Sequence, residues 1–98
     1  MTAYEAAAWL LGRRPRAFDP TDQLAMDTLA AYHEVADLAH AAYTGDKLDR
    51  VLEDLGNSGL GELHRRQPEI ERDARRARRK AARAAREKEA TNAPPLLG

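Results

Sequence analysis

The stretch DQLAMDTLAAYHEVADLAHAAY, residues 22–43, is the longest part of the chain with a clean helical period. Apolar or small residues recur in adjacent pairs at positions 24/25, 28/29, 31/32, 35/36, 38/39 and 42/43. Steps that alternate between four and three residues place such pairs on one face of an α-helix. The stretch therefore predicts a long central helix with a broad, alanine-rich face. The larger side chains of this face are Leu24, Leu29, Tyr32, Val35, Leu38 and Tyr43.

The flanking residues predict where the central helix begins and ends. Asp19 offers an N-cap acceptor and Pro20 suits a first helical turn, while Gly45 can adopt the left-handed conformation that ends a helix. The predicted helix therefore covers residues 20–44. Because alanine buries little area, the large core side chains have to come from other segments or from a second copy of the chain.

Two shorter helices flank the central one. Thr2 and Glu5 match a capping box, which predicts a helix over residues 3–11 that stops at Gly12. Asp46 is the expected cap of a helix over residues 47–55, which should fold back antiparallel on the central helix. The expected core faces are Tyr4, Ala7, Ala8 and Leu11 in the first helix, and Leu48, Val51, Leu52 and Leu55 in the second.

The last third of the chain is rich in arginine and alanine. A short helical turn is expected at 59–65, after a glycine-rich segment that makes the best hinge. Pro68 then suits the first turn of a new basic helix, so we predict a compact domain over 1–66 and a basic helix with a proline-containing tail over 67–98. The apolar line of this helix has almost nothing to bury, and it consists of Ile70, Ala74, Ala77, Ala81 and Ala84. The predicted class is an all-α small helical bundle with a projecting basic helix.

Composition limits the classes of function. The chain has 98 residues and no cysteine, which fits one domain and excludes disulfides and thiolate metal sites. No apolar run approaches the roughly 20 residues that span a bilayer, so no membrane role is expected. The N-terminus carries Glu5 and lacks the positive region of a signal peptide. We therefore expect the protein in the cytoplasm, or within a virion if a phage encodes it.

The formal net charge of zero conceals a strong asymmetry along the chain. Residues 1–16 carry three arginines against Glu5, a net charge of +2. Residues 17–62 carry ten acidic side chains against Lys47 and Arg50, a net charge of −8. Residues 63–98 carry eleven basic and five acidic side chains, a net charge of +6. Such opposed blocks are typical of proteins that bind charged partners or each other.

No segment contains a recognisable catalytic or cofactor-binding motif. His33, Asp37 and His40 share one side of the central helix, but Asp37 stands where a His-Glu-x-x-His zinc motif needs its second histidine. The two histidines are about 10 Å apart along the helix, which is long for one ion. No serine nucleophile or phosphate-binding loop stands in a known motif. We therefore assign no catalytic, cofactor-binding or metal-binding residue, and we expect a non-enzyme with no small-molecule substrate.

Two surfaces are the candidates for function. Trp9 and Leu10 fall off the predicted core face of the first helix, so they either anchor a partner or fill a groove of their own domain. Arg13, Arg14 and Arg16 resemble an AT-hook but lack its central glycine, which favours a solvated connector. The expected contacts of the basic helix with a partner or nucleic acid are Arg72, Arg75, Arg76, Arg78, Arg79, Lys80, Arg83 and Arg86.

Two functional hypotheses follow from these surfaces. The first is a non-enzymatic assembly or adaptor protein, by analogy of a bacteriophage type, whose basic helix docks on an acidic protein or on another copy of the chain. The second is a weakly sequence-specific nucleic-acid-binding protein that acts through the arginine-rich helix. No aromatic, asparagine or glutamine lies among these arginines, so phosphate contact would dominate. The alternative to both hypotheses is that the basic helix is simply a solvated charged helix without a partner.

Overall fold

The computed structural model describes residues 2–92, and the side chains of residues 2–90. Within this range every regular element is a helix, which confirms the predicted all-α class. The helices are α1 at Ala3–Leu10, α2 at Gln23–Ala42, α3 at Gly45–Asn57 and α4 at Gly59–Asn92, with a short 3-10 turn at Pro15–Ala17 between α1 and α2. The proline-containing tail lies outside the described residues.

The first helix begins as its capping box predicts. The Thr2 hydroxyl accepts a hydrogen bond from the backbone N–H of Glu5, and the Glu5 carboxylate accepts one from the backbone N–H of Thr2, both at 3.2 Å. Its buried face differs from the predicted one and consists of Ala6, Ala7, Ala8 and Leu10. Tyr4 is 56% exposed and meets the ring of Phe18 edge-on, with ring centroids 5.6 Å apart.

The central helix is shorter than predicted at both ends. Its N-cap is Asp22 rather than Asp19, because the Asp22 carboxylate accepts from the backbone N–H groups of Leu24 and Ala25 at 3.0 and 3.3 Å. Asp19 instead closes a turn with the backbone N–H of Thr21 at 2.9 Å. Since α2 begins only at Gln23, Leu24 stands in its first turn and is 52% exposed. Leu24 is therefore the member of the predicted apolar face that stays at the surface.

A tight turn joins α2 to α3. Tyr43 and Thr44 are extended, and Gly45 then opens α3 with φ +60°. Gly45 therefore supplies the left-handed conformation, as predicted, but as the first residue of the next helix. Thr44 occupies the N-cap position that the sequence assigned to Asp46, and its hydroxyl makes no capping hydrogen bond.

The largest departure from prediction is that α4 is one continuous helix. Pro68 lies inside it, so the predicted break between residues 66 and 67 is absent. Pro68 takes the hydrogen-bond donor away from the carbonyl of His64, but both residues are exposed, so water can hydrate that carbonyl. Leu63, Ile70 and Ala74 lie on one face across the proline and are 0%, 2% and 0% exposed. Their burial holds the helix in line on both sides of Pro68.

The core consequently includes the beginning of the basic helix. The prediction that the last third of the chain stays outside the core is wrong, because Ile70 and Ala74 are 2% and 0% exposed and Ile70 belongs to the central cluster. The central residues of the core are Ala6, Leu10, Tyr32, Val35, Ala36, Ala39, Leu55, Leu63 and Ile70. Leu38, Tyr43, Leu48, Val51 and Leu52 pack against them while half-buried.

Beyond this core α4 continues alone. Ala77 is half-buried, and every residue from 78 to 90 is exposed. The molecule measures 68 × 23 × 21 Å, and a helix of 34 residues accounts for about 51 Å of the long dimension. We name residues 78–90 the free arm.

Candidate functional site

The basic surface of α4 is formed by the eight cations that the sequence singled out. All eight side chains are exposed. Among the other described side chains, leaving Glu87 aside, no carboxylate forms an ion pair with any of them. Residues 75–86 contain seven of these cations and five alanines, with no acid between them. The stretch from residue 75 to residue 86 is therefore a continuous positively charged surface.

The cations follow a regular pattern around the helix. At about 100° per residue, six of them fall within an arc of roughly 100°, and Arg78 and Lys80 widen it to about 200°. This arc lies opposite the line of Ile70, Ala74 and Ala77 that faces the core. More than half of the helix circumference is thus cationic, and the six that share the narrow arc are Arg72, Arg75, Arg76, Arg79, Arg83 and Arg86.

The part of α4 that precedes this surface is differently arranged, because its cations are paired. Arg65 bonds to Glu62 at 2.7 Å, and this side-chain hydrogen bond lowers the pKa of Glu62. Arg66 lies 3.7 Å from the carboxylate of Asp54 on α3. Glu71 accepts a hydrogen bond from the side-chain amide of Gln67 at 3.4 Å.

One contact fixes α4 to the end of α2. The hydroxyl of Tyr43 donates a hydrogen bond to the carboxylate of Asp73. Burial, together with this hydrogen bond, raises the pKa of Tyr43 to about 12. Tyr43 therefore stays neutral at physiological pH. Its hydroxyl is hydrogen-bonded to Asp73, the carboxylate that lies between Arg72 and Arg75 in the chain.

A cleft of about 440 Å³ opens beside this contact, between the α2–α3 turn and α4. Its wall includes Lys47 from α3 and two members of the basic surface, Arg76 and Lys80. No sequence pattern singles out Lys47, which has acidic neighbours in the chain and lies far from Lys80. Only the packing of α4 on the turn brings these cations together.

The predicted aromatic anchor divides into one exposed and one buried residue. Trp9 is 56% exposed and remains available at the surface. Leu10 is 5% exposed and belongs to the core, so the prediction of Leu10 as a partner anchor is withdrawn. Its spacing from Ala3 and Ala6 places it on the face that meets the bundle.

The polar side of α2 forms no constellation with chemistry. His33, Asp37 and His40 are all exposed. Within residues 2–90 no group of three or more histidine or acidic side chains converges in a way that could hold a metal ion. None of the helices in the described part of the chain is both long and apolar enough to cross a bilayer.

Comparison of the chain with models of known protein families, with curated proteins and with solved structures finds no match.

Proposed function

We propose that the protein is a non-enzymatic nucleic-acid-binding protein in which the bundle presents α4 to the phosphate backbone of a duplex. The observation that carries this proposal is the run of exposed cations, with no acid between residues 75 and 86, on the part of α4 that leaves the bundle. Unneutralised arginines on a rigid helix release condensed counterions when they meet phosphates, which is the main source of affinity for such ligands.

The distribution of charge favours a groove over a flat surface. A helix with side chains is about 10–12 Å wide, close to the roughly 12 Å width of a DNA major groove. Cations that cover about 200° of the circumference would reach the phosphates on both sides of a groove, whereas a flat partner would meet only one face. The alanines between them keep the helix slim.

Recognition of this kind would depend little on sequence. Arginine forms bidentate hydrogen bonds with phosphate oxygens, and all but one of the eight cations are arginine. No asparagine or glutamine lies among them, so arginine alone would have to distinguish base edges.

The test is a titration of fluorescently labelled 20-base-pair duplex with the intact protein at several salt concentrations, followed by anisotropy. The arm variant carries Arg83→Gln and Arg86→Gln, and the control carries Arg14→Gln and Arg16→Gln. Both pairs are exposed and both changes remove two positive charges. Each lost phosphate contact lowers the slope of log K against log salt by about 0.9.

We expect the arm variant to bind about tenfold or more weakly at 0.1 M salt, with a slope reduced by about 1.8. The control should keep both affinity and slope. Absence of saturable binding at low salt, or an equal loss in the two variants, would overturn the proposal.

A second candidate function is assembly through protein contacts, and the opposed charges of the chain favour it. The exposed acidic side chains of α3, which include Asp46, Asp49 and Glu53, could receive the free arm of another copy in a head-to-tail contact. In that case the molar mass measured by light scattering would rise with protein concentration and fall with added salt. The arm variant would have the molar mass of a monomer.

A further inference from the structure

The cleft beside α4 gathers positive charge from two separate helices. Its wall includes Tyr43, Thr44, Lys47, Asp73, Arg76 and Lys80. Three of these side chains are cations and one is an acid. The acid is Asp73, which already accepts a hydrogen bond from the Tyr43 hydroxyl. The cleft thus has a net positive lining although Lys47 belongs to the most acidic part of the chain.

Lys47 is held at the wall of the cleft by an aromatic ring. Its ammonium group lies 4.9 Å from the centroid of the Tyr43 ring, within the range of a cation–π contact. Tyr43 is in turn fixed to α4 through Asp73. No carboxylate among the described residues forms an ion pair with Lys47, Arg76 or Lys80. The three cations therefore outnumber the one acid in the wall of the cleft, Asp73, and none of them is in ion-pair contact with it.

We propose that this cleft binds a phosphate group, held by the ammonium groups of Lys47 and Lys80 and the guanidinium of Arg76. The Thr44 hydroxyl lines the same cleft and caps no backbone amide of α3, so it adds a donor for a phosphate oxygen. The source of the phosphate is the backbone of the nucleic acid that α4 follows, and this part of the inference rests on the proposed function. Free phosphate is the other source of the same chemistry.

A phosphate site in the cleft would define the position of the duplex on the protein, which the free arm alone does not. Exposed arginines on a lone helix can exchange between neighbouring phosphates, so they leave the position along the duplex undefined. A phosphate held between α3 and α4 would instead fix one point of the backbone against the bundle. The duplex would then enter the basic surface at the cleft and run outward along the arm.

Lys47 allows a clean test because it is the cleft's cation outside α4. The variant Lys47→Gln removes one charge from α3 and leaves the basic helix unchanged. The matched control is Arg50→Gln, which removes one charge from the same helix at an exposed position outside the cleft. Circular dichroism should give the same helix content for both variants.

Two readouts separate the sources of phosphate. In the duplex titration we expect Lys47→Gln to bind about five- to tenfold more weakly at 0.1 M salt with a slope lower by about 0.9, and Arg50→Gln to match the wild type. In a titration with inorganic phosphate, the amide resonances of residues 43–47 and 76–80 should shift at constant ionic strength in the wild type but not in Lys47→Gln.

The outcomes also distinguish this inference from the proposed function. Shifts with inorganic phosphate in a protein that binds no duplex would support the site with free phosphate as its ligand, while the proposed function fails. Duplex binding that depends on Arg83 and Arg86 but is equally affected by Lys47→Gln and Arg50→Gln would overturn the cleft and leave the proposed function standing. Absence of shifts together with unchanged duplex affinity in Lys47→Gln would overturn it too.

Discussion

Truncation of Ile70 tests whether the basic helix is part of the folded core. Ile70 lies beyond Pro68, yet its side chain is 2% exposed and belongs to the central cluster. Replacement of a buried isoleucine by alanine costs about 2–5 kcal/mol, because the transfer free energy is lost and a cavity remains. Ile70→Ala should therefore lower the free energy of unfolding by about 2–5 kcal/mol, and Ile70→Val by about 0.5–1.5 kcal/mol.

The assay is urea unfolding followed by the fluorescence of the single tryptophan, Trp9, which reports on α1 at the opposite end of the chain. The control is Leu24→Ala, since Leu24 is a similar aliphatic residue that is 52% exposed and should lose about 1 kcal/mol or less. If Ile70→Ala cost no more than Leu24→Ala, the helix after Pro68 would not pack on the bundle. The cleft and the orientation of the free arm would then lose their structural basis.

Two further predictions concern the turns and the root of α4. Gly45→Ala should destabilise the protein by about 1 kcal/mol, because Gly45 has φ +60°. Gly61→Ala should instead stabilise it by about 0.5–1 kcal/mol, since Gly61 lies inside α4 with open space for a Cβ. Urea midpoints would measure both changes, and equal effects would refute the assigned backbone conformations. Because the pKa of Tyr43 is raised to about 12 in the folded protein, the unfolded chain loses this proton first as pH rises above 10, so the free energy of unfolding should fall between pH 10 and 12. The free energy of unfolding of Tyr43→Phe should fall less steeply over that interval, and an identical fall in both proteins would contradict the burial of the Tyr43 hydroxyl and its contact with Asp73.

Local patterns predicted which helices exist but not where all of them end. The alternation of four and three residues in α2 is a strong signal, because it extends over the whole helix and depends on no distant partner. The N-terminus of α2 is ambiguous, since Asp19 and Asp22 are both good capping residues and only the structure shows that Asp22 performs the role. The predicted helix start at Pro68 is wrong for a different reason. Its preference for a first turn is local, and the burial of Leu63, Ile70 and Ala74 outweighs it.

The candidate site was only partly accessible from sequence for the same physical reason. The eight cations of α4 follow one another in the chain, so their shared surface can be predicted from helical geometry alone. Lys47 joins them only because Tyr43 bonds to Asp73 and brings the α2–α3 turn against α4. The burial of Leu10 could not be predicted from the sequence either. The apolar residues of a short, nearly all-apolar helix do not reveal which side faces the core until the neighbouring helices are in place.

The division of charge along α4 argues against an arm that is merely solvated. An isolated alanine-rich helix in water gains stability when acids stand four residues from its bases. The start of α4 has acidic partners, since Arg65 pairs with Glu62 one turn away and Arg66 lies 3.7 Å from the carboxylate of Asp54 on α3. From residue 74 to residue 86 the helix has no acid at all, although cations remain dense. Arg78, Arg79 and Lys80 therefore have no acid three or four residues away that could pair with them along the helix, and a ligand that brings its own negative charge would supply that stabilisation on binding.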